Sequence, residues 1–253
     1  RLQGYYDYVD LSLSLQLPNT LTPGAASVVA AVAANAGPGT ADYPVLLLST
    51  DAALQAEGVS GCVSPAVPQR TCALQAIAAD TSQTASLLLH VDPFARGTVV
   101  LGAAVSSEAI ETRPGDEISV VALPLVAEAE TRVAFVDTKP EVMPDGRLLW
   151  QVNVDNDGPS AAIAPAVVNA SVSFGGPVLT ECRTDASSSC PETLNYLSPG
   201  SGWTMLFIAQ PLSRDNPEIQ VGFHVQPREI GNDPGNDGVF LVYRDVLLID
   251  NFE

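Results

Sequence analysis

Apolar and polar residues alternate along many short stretches of the chain, and this period of two predicts β-strands. In residues 11–17, LSLSLQL, the leucines fall on one face and the polar residues on the other. Other stretches are aliphatic or β-branched and are bounded by Gly, Pro, Asn or Asp, as strands between turns are. They are TASLLLHV (84–91), TVVLGAAVS (98–106), TMLFIAQ (204–210), IQVGFHV (219–225) and VFLVYRDVLLI (239–249).

One short motif occurs twice, as NAGPGTA at residues 35–41 and as NDGPSAA at residues 156–162. An offset of 121 residues aligns the two copies, and an offset of 120 aligns Cys62 with Cys182. The alanine-rich residues 24–36 could pass for a helix, but they align with the alternating LLWQVNVDN and are therefore expected to form a strand. Matches in one order at a nearly constant offset indicate a duplicated domain.

The duplication predicts two tandem domains, residues 1–126 and 127–253. About seven short strands in each copy, without helical periodicity, predict an all-β fold of two immunoglobulin-like β-sandwich domains. The repeated motif is interpreted as a turn, in which Asn bonds the local backbone, Gly takes a positive φ and Pro fixes φ. A phosphate-binding loop is not supported, because neither a lysine nor a helix start follows the glycine.

Four cysteines fall in two close pairs, Cys62 with Cys72 and Cys182 with Cys190. We expect each pair to form a disulfide, which indicates an oxidising compartment. A zinc site with four cysteine ligands is the competing interpretation. The nine and seven residues between the paired cysteines exceed the usual spacing of zinc ligands.

The order of these motifs resembles the bacterial surface repeat family called domain of unknown function 11. The shared features are an alternating first strand, a Pro-Gly or Pro-Asp turn, a strand ending in N-x-G-P-[SG]-x-A, two cysteines, and a closing Pro-Gly turn before the last strand. The resemblance implies an Ig-like module of envelope or secreted proteins. The chain departs from the family at Asp116-Glu117 and Asn236-Asp237, where the family has an Asn pair.

The formal net charge of the 253-residue chain is −18, and Lys139 is its only lysine. Such a chain repels nucleic acid and anionic membranes, so neither is expected as a partner. No apolar run approaches the roughly 18–20 residues that span a bilayer. The sequence starts at Arg1 without an apolar leader, so we expect a mature product or an excised part of a longer protein, secreted or at the cell surface.

Candidate catalytic residues are scarce. His90 and His224 both alternate to the outward side of their strands, and no nucleophile motif accompanies either of them. The chain is therefore not expected to be an enzyme.

Acidic loops offer oxygen ligands of the kind that Ca²⁺ prefers. The candidate ligands, in the stretches DNDG and NDPGND, are Asp155, Asp157, Asp233 and Asp237. The competing explanation is that Asp and Asn occur there because turns favour them. No cofactor other than calcium is expected.

Three tyrosines, Tyr5, Tyr6 and Tyr8, precede the first strand in the sequence GYYDYVD and form the candidate interaction segment. Two alternative roles are expected for this segment. The segment either pairs with a neighbouring subunit or lengthens the first strand of its own sandwich. Trp150 lies in an alternating strand and is expected in the core.

Together these features predict a non-catalytic extracellular protein with a structural or adhesive role at a bacterial cell surface. One form of this hypothesis is a stalk, and the other is a self-assembling subunit of a filament or surface layer that pairs through β-strands. The expected partners are proteins, either copies of the chain or other surface proteins. The alternative is a carbohydrate- or calcium-binding module of a secreted protein.

Overall fold

The structure is a computed structural model. It describes residues 8–62, 71–163, 166–171, 179–184, 196–209, 218–226, 229, 235 and 237–244. Backbone contacts divide the chain into two compact units, unit 1 (Arg1–Val126) and unit 2 (Ala127–Glu253). The described residues form strands and turns and contain no helix, as the sequence predicts.

The described residues of unit 1 form ten strands, which follow the short alternating stretches of its sequence. They are β1 (Tyr8–Val9), β2 (Leu11–Gln16), β3 (Ala26–Asn35), β4 (Val45–Thr50), β5 (Leu54–Ser60), β6 (Thr71–Ala73), β7 (Thr81–Val91), β8 (Thr98–Ser106), β9 (Ile110–Glu111) and β10 (Ile118–Pro124). The alanine-rich segment is strand β3, which confirms the choice of strand over helix.

The strands of unit 1 form two antiparallel four-stranded sheets. The first sheet has the order β2-β3-β7-β5 and the second has the order β10-β8-β4-β6. With the main strands lettered A to G along the chain, these orders are A-B-E-D and G-F-C, with β6 added beside C. That arrangement is the immunoglobulin-like β-sandwich, so the predicted fold class is confirmed.

The first and last parts of unit 1 are joined by parallel pairing. β1 pairs parallel with β9, and Leu21 forms a parallel bridge with Leu125. The amide of Leu21 donates to the carbonyl of Pro124, and the amide of Val126 donates to the carbonyl of Leu21. The start of the unit is therefore bonded directly to its end.

The core of unit 1 is aliphatic, and alternation along each strand produces it. In β8, for example, Val99, Leu101, Ala103 and Val105 are buried, while the alternate residues face away from the core. The buried residues of β3 include two alanines, Ala31 and Ala33, so the large side chains come from the strands around it. Burying one such leucine or valine stabilises the fold by about 1.5–3 kcal/mol.

Asn35, the first residue of the repeated motif, is the hydrogen-bonding centre of unit 1. The residue is 1% exposed, and its side chain makes four hydrogen bonds. The Nδ2 group donates to the carbonyls of Gly39 (2.8 Å) and Ile77 (3.0 Å). The Oδ1 atom accepts from the amides of Asp10 (3.2 Å) and Gly37 (3.0 Å). One buried side chain thus holds the turn, β1–β2 and the entry to β7 together.

The same packing requires a glycine at position 37, but for a reason that the sequence did not predict. Its φ is not positive, in contrast to the expectation for the glycine of this turn. A Cβ atom at this position would lie 2.5 Å from the amide nitrogen of Asp10 and 2.6 Å from the Cα atom of Val9. The glycine is required because the backbone of residues 9–10 passes directly over it.

In the part of unit 2 that the structure describes, a second set of ten strands is present. They are β11 (Thr131–Phe135), β12 (Glu141–Val142), β13 (Leu148–Asn156), β14 (Ala162–Ile163), β15 (Ala166–Ser171), β16 (Leu179–Thr184), β17 (Tyr196–Leu197), β18 (Gly202–Ala209), β19 (Glu218–Gln226) and β20 (Gly238–Arg244).

The sheets of unit 2 have the same strand order as those of unit 1. One sheet has the order β11-β13-β18-β16, which is A-B-E-D, and the other has the order β15-β19-β20, which is C-F-G. β12 pairs with β13, and β14 pairs with β17. The starts of β19 and β20, Glu218 and Gly238, lie 120 residues after the starts of β8 and β10.

Aromatic side chains fill the core of unit 2. Trp150 is 1% exposed, as its alternating strand predicts, and its ring meets that of Tyr243 edge-on at 5.9 Å. The rings of Phe207 and Phe223 are also edge-on, at 5.1 Å. Such pairs contribute about 0.5–1.5 kcal/mol beyond the area that they bury.

Asn156 repeats the network of Asn35 bond for bond. Its Nδ2 group donates to the carbonyls of Ser160 (2.8 Å) and Leu197 (3.0 Å), and its Oδ1 atom accepts from the amides of Glu130 (3.2 Å) and Gly158 (3.1 Å). A Cβ atom on Gly158 would lie 2.5 Å from the amide nitrogen of Glu130. The repeated motif is therefore a structural corner in both units.

We predict that Asn35→Asp destabilises unit 1 by about 3 kcal/mol. The substitution keeps the shape of the side chain but removes the Nδ2 donor and leaves two carbonyls facing a buried carboxylate. Both tryptophans, Trp150 and Trp203, lie in unit 2, so their fluorescence follows unit 2 alone. We expect urea unfolding, followed by far-ultraviolet circular dichroism, to show a lower stability of unit 1. The transition of unit 2, which tryptophan fluorescence follows, should not change.

The matched control is Asn19→Asp, the same chemical change at an exposed position of the same unit. Its free energy of unfolding should stay within about 0.5 kcal/mol of that of the original chain. Equal effects of the two substitutions would mean that added charge, and not the loss of the buried donor, causes the destabilisation.

Candidate interaction surface

The second sheet of unit 1 has an outward face without charge. Its strands β4, β6, β8 and β10 contain no Asp, Glu, Lys, Arg or His. In a chain of net charge −18, the charged residues of this half of the sandwich lie at strand ends and in turns. We name the outward side of β4, β8 and β10 the apolar face.

The apolar face exposes large hydrophobic side chains beside one another. Val120 is 66% exposed, Ile118 55%, Leu47 44% and Val100 38%. In the register of the sheet, Ile118 lies beside Ala104, and Leu47 lies beside Ala104 on its other side. Clustered exposed hydrophobic residues of this kind mark interaction sites more often than isolated ones do.

The other sheet of unit 1 presents a different outward face. The outward residues of β2 and β7 include Ser12, Ser14, Thr84, Ser86 and His90. β3, which lies between them, is apolar on this side, where Val28 is 67% exposed, but the polar side chains of β2 and β7 flank it. Only the second sheet therefore combines exposure with an apolar surface over three adjacent strands in the described part of unit 1.

The sequence contains a signal for the apolar face that alternation alone does not reveal. A strand with one face in solvent should alternate apolar with polar residues, whereas β10 reads ISVVALP and β8 reads TVVLGAAVS. A strand that is apolar on both sides is typical of a sheet covered on both faces. Reading these strands only for their buried positions misses Val120 and Ile118.

The structure pairs Cys62 with Cys72 in a disulfide, as predicted. Cys62 follows β5, which belongs to the first sheet, and Cys72 lies in β6, which belongs to the second. The bond therefore joins the edge strands of the two sheets. In the predicted second pair, Cys182 lies in β16 and Cys190 lies outside the described residues, so that pairing stays a prediction.

The predicted calcium ligands occupy two places. Asp155 and Asp157 lie at the end of β13 and both contact Arg132, at 3.6 Å and 3.3 Å. Asp237 is 3% exposed and accepts a hydrogen bond from the hydroxyl of Thr131 at 2.7 Å. Asp233 lies outside the described residues.

Within the described ranges, no three His, Cys, Asp or Glu side chains are arranged to hold a metal ion. The carboxylates near Arg132 already have a cationic partner. Calcium binding by these residues stays a prediction.

Tyr8, the described member of the three predicted interaction tyrosines, lies in β1 and is 49% exposed. Its carbonyl accepts a hydrogen bond from the amide of Gly39, and the strand pairs with Ile110–Glu111 of the same unit. This part of the segment thus extends its own sandwich. Tyr5 and Tyr6 lie outside the described residues.

The pKa values of two carboxyls, those of Glu117 and Asp145, are lowered by hydrogen bonds. The backbone amide of Gly115 donates to Glu117 and lowers the pKa of that carboxyl. The backbone amide and the side chain of Arg147 donate to Asp145 and lower its pKa. A lowered pKa keeps these groups ionised, which is the opposite of what a general acid requires, and both groups serve turns.

The comparisons with known proteins return weak structural likenesses. No protein-family model and no curated protein matches the chain. A protein of unknown function from Porphyromonas gingivalis is 17% identical over 92% of this chain and 97% of that chain, with a TM-score of 0.28. Escherichia coli alpha-2-macroglobulin, from domain MG7 to the C-terminus, is 15% identical over 64% of this chain and 25% of that chain (TM-score 0.37).

A cohesin module from a Clostridium perfringens family 33 glycoside hydrolase is 15% identical over 47% of this chain and 99% of that chain, with a TM-score of 0.32. The fold class therefore follows from the sheet order of the chain itself. In the described ranges, no helix is long and apolar enough to cross a membrane.

We predict that replacing both Cys62 and Cys72 with serine destabilises unit 1 by roughly 3 kcal/mol. The bond closes a loop with a sequence separation of 10 residues, and the open loop gains entropy when the chain unfolds. Urea unfolding by circular dichroism measures the loss. Adding a reductant to the double variant then isolates any effect of Cys182 and Cys190, and an unchanged transition of unit 1 in the double variant contradicts the prediction.

Proposed function

We propose that the chain is a non-catalytic structural protein of the bacterial cell exterior that assembles through contacts between β-sandwich surfaces. The apolar face of unit 1 carries this proposal. Val120, Ile118, Leu47 and Val100 expose hydrophobic surface on three adjacent strands, where burial against another protein is favourable.

Two further features support the placement outside the cell. The Cys62–Cys72 bond joins the two sheets of unit 1, and disulfides persist in oxidising compartments. The acidic surface favours solubility there and disfavours nucleic acid as a partner. The motif order, which resembles the bacterial surface repeats, supports the bacterial surface as the location.

The polar chemistry of the described residues is also consistent with a structural role. The side chains of Asn35 and Asn156 direct all four of their hydrogen-bonding positions to backbone groups. These groups have no donor or acceptor left for a substrate. Catalysis needs polar groups that are positioned but still available to a reacting molecule.

The test is the association state of the purified full chain. We expect the weight-average mass in sedimentation velocity to rise with protein concentration, and negative-stain electron microscopy of concentrated samples to contain oligomers or filaments. A mass equal to that of the monomer, 26.4 kDa, at every concentration contradicts assembly.

The effect of Ca²⁺ on thermal stability distinguishes this proposal from the alternative of a calcium-binding module. Because Asp155 and Asp157 share Arg132 and Asp237 accepts the Thr131 hydroxyl, we predict that millimolar Ca²⁺ leaves the melting temperature unchanged within about 1 °C. Differential scanning calorimetry with Ca²⁺ and with a chelator measures this. A calcium-dependent rise in the melting temperature, lost in Asp155→Asn, favours the calcium-binding module instead.

A further inference from the structure

Gly102, in the middle of β8, is a glycine that the fold of unit 1 does not require. Its φ is not in the left-handed region, and a Cβ atom there would meet the Ser49 Cβ atom at 3.5 Å and a methyl carbon of Val120 at 4.0 Å. These are ordinary van der Waals distances, so a Cβ atom fits at this position. Because glycine weakens a strand interior, its presence on an outward face indicates a place that another backbone or side chain approaches closely.

The neighbours of Gly102 extend this gap into a shallow groove. Ala104 lies two residues further along the same face of β8, and Ser49 lies beside Gly102 on β4. All three residues are small. The outward surface over Gly102 and Ala104 therefore lies lower than the surface over Val120 and Ile118, and Val100, 38% exposed on the same face of β8, closes one end of the groove.

A ridge lies directly beside the groove. Val120 of β10 pairs with Gly102, and Ile118 pairs with Ala104. These two side chains are 66% and 55% exposed, and neighbouring strands are about 4.8 Å apart. The ridge and the groove thus run parallel, have similar lengths and are separated by one strand spacing.

This arrangement is complementary to itself. A two-fold contact between identical chains requires a patch in which each feature meets its complement after a rotation of 180°. A ridge beside a groove meets that requirement, because the rotation places each ridge over the groove of the other copy. A single groove or a single ridge would fit a different protein better.

Charge also favours a second copy. The chain has a net charge of −18, so contact between two copies at an arbitrary place brings carboxylates together. The apolar face carries no charged residue, and its contact desolvates none. Asp51 and Glu117 lie at its margins, so repulsion between the margins weakens the contact in a salt-dependent manner.

The size of the face sets the strength of the contact. Three strands of about seven residues cover roughly 14 Å by 23 Å, or about 300 Å² per copy. The total of about 600 Å² is below the 1,200 Å² of stable complexes. We therefore expect a weak dimer in solution, which becomes effective when many copies lie side by side.

We propose that the apolar face is an isologous contact between two copies of this chain, in which the Val120–Ile118 ridge of each copy packs over the Gly102–Ala104 groove of the other. The inference rests on the proposed function, since it names the partner and the surface of an assembling protein.

The experiment is sedimentation equilibrium of the full chain, comparing Val120→Glu with Val28→Glu. Val28 is 67% exposed on the outward side of the other sheet, so the two variants share residue type, exposure and added charge. We expect Val120→Glu to raise the dimer Kd by at least about 10-fold, because it places two carboxylates in the contact, and Val28→Glu to change it less than about 2-fold.

A second variant tests the groove without adding charge. Gly102→Leu fills the groove and should also raise the Kd by about 10-fold or more, with Gly102→Ala intermediate. Circular dichroism and the melting temperature establish whether each variant is folded. Raising NaCl from about 0.05 M to 0.5 M should strengthen wild-type dimers by screening the margins.

The wild-type chain provides a test that needs no substitution. On raising the concentration, amide NMR signals of residues 100–104 and 118–122 should shift together, while that of Val28 stays in place. If only other residues shift, the proposed contact is wrong.

The remaining outcomes separate this proposal from the proposed function. Dimers that persist in both Val120→Glu and Gly102→Leu overturn the contact but leave an assembling protein. Dimers that Phe240→Glu alone disrupts place the contact on unit 2, where Phe240 is 64% exposed, and also overturn it. A wild-type chain that is monomeric at every concentration overturns both.

Discussion

A single buried asparagine organises each sandwich. Asn35 ends β3 and Asn156 ends β13, and each binds the backbone of three separate segments through four hydrogen bonds. The first strand, the turn and the later segment at Ile77 or Leu197 can take their places only around that side chain. Because each buried donor and acceptor must be satisfied at once, the network accepts one arrangement of these segments and rejects shifted registers.

Much of this fold could be predicted from the sequence, and the reasons are local. Alternation in LSLSLQL and the offset of 120–121 residues between motifs predict strands, their spacing and an immunoglobulin-like order, because one buried face imposes a period of two. The role of Gly37 could not be predicted, since the backbone that passes over it comes from residues 9–10, which lie far away in the sequence. The Asn-Gly-Pro pattern signals a turn, but it does not state which segment the asparagine holds.

The candidate surface was harder to predict than the fold. Val120 and Ile118 belong to a strand in which both alternating sets are apolar, and a sequence does not tell which set faces the core. The register places Val120 beside Gly102 and Leu47 near Ala104, and this juxtaposition joins three strands that are distant in the chain. The acidic loops predict calcium ligands, and Asp155 and Asp157 lie beside Arg132, so calcium binding stays a prediction.

The parallel pairing at the two ends of unit 1 has a mechanical consequence. β1 runs parallel to β9, and Leu21 is bridged in parallel to Leu125, so the entering and leaving segments of the unit lie side by side and point the same way. When tension pulls residues 8 and 126 apart, it slides these segments past each other. The hydrogen bonds between them are then loaded in shear and must break together, instead of opening one after another. Unit 1 is thus built to resist stretching along the chain, and the Cys62–Cys72 bond limits how far its chain can extend if the segments do part.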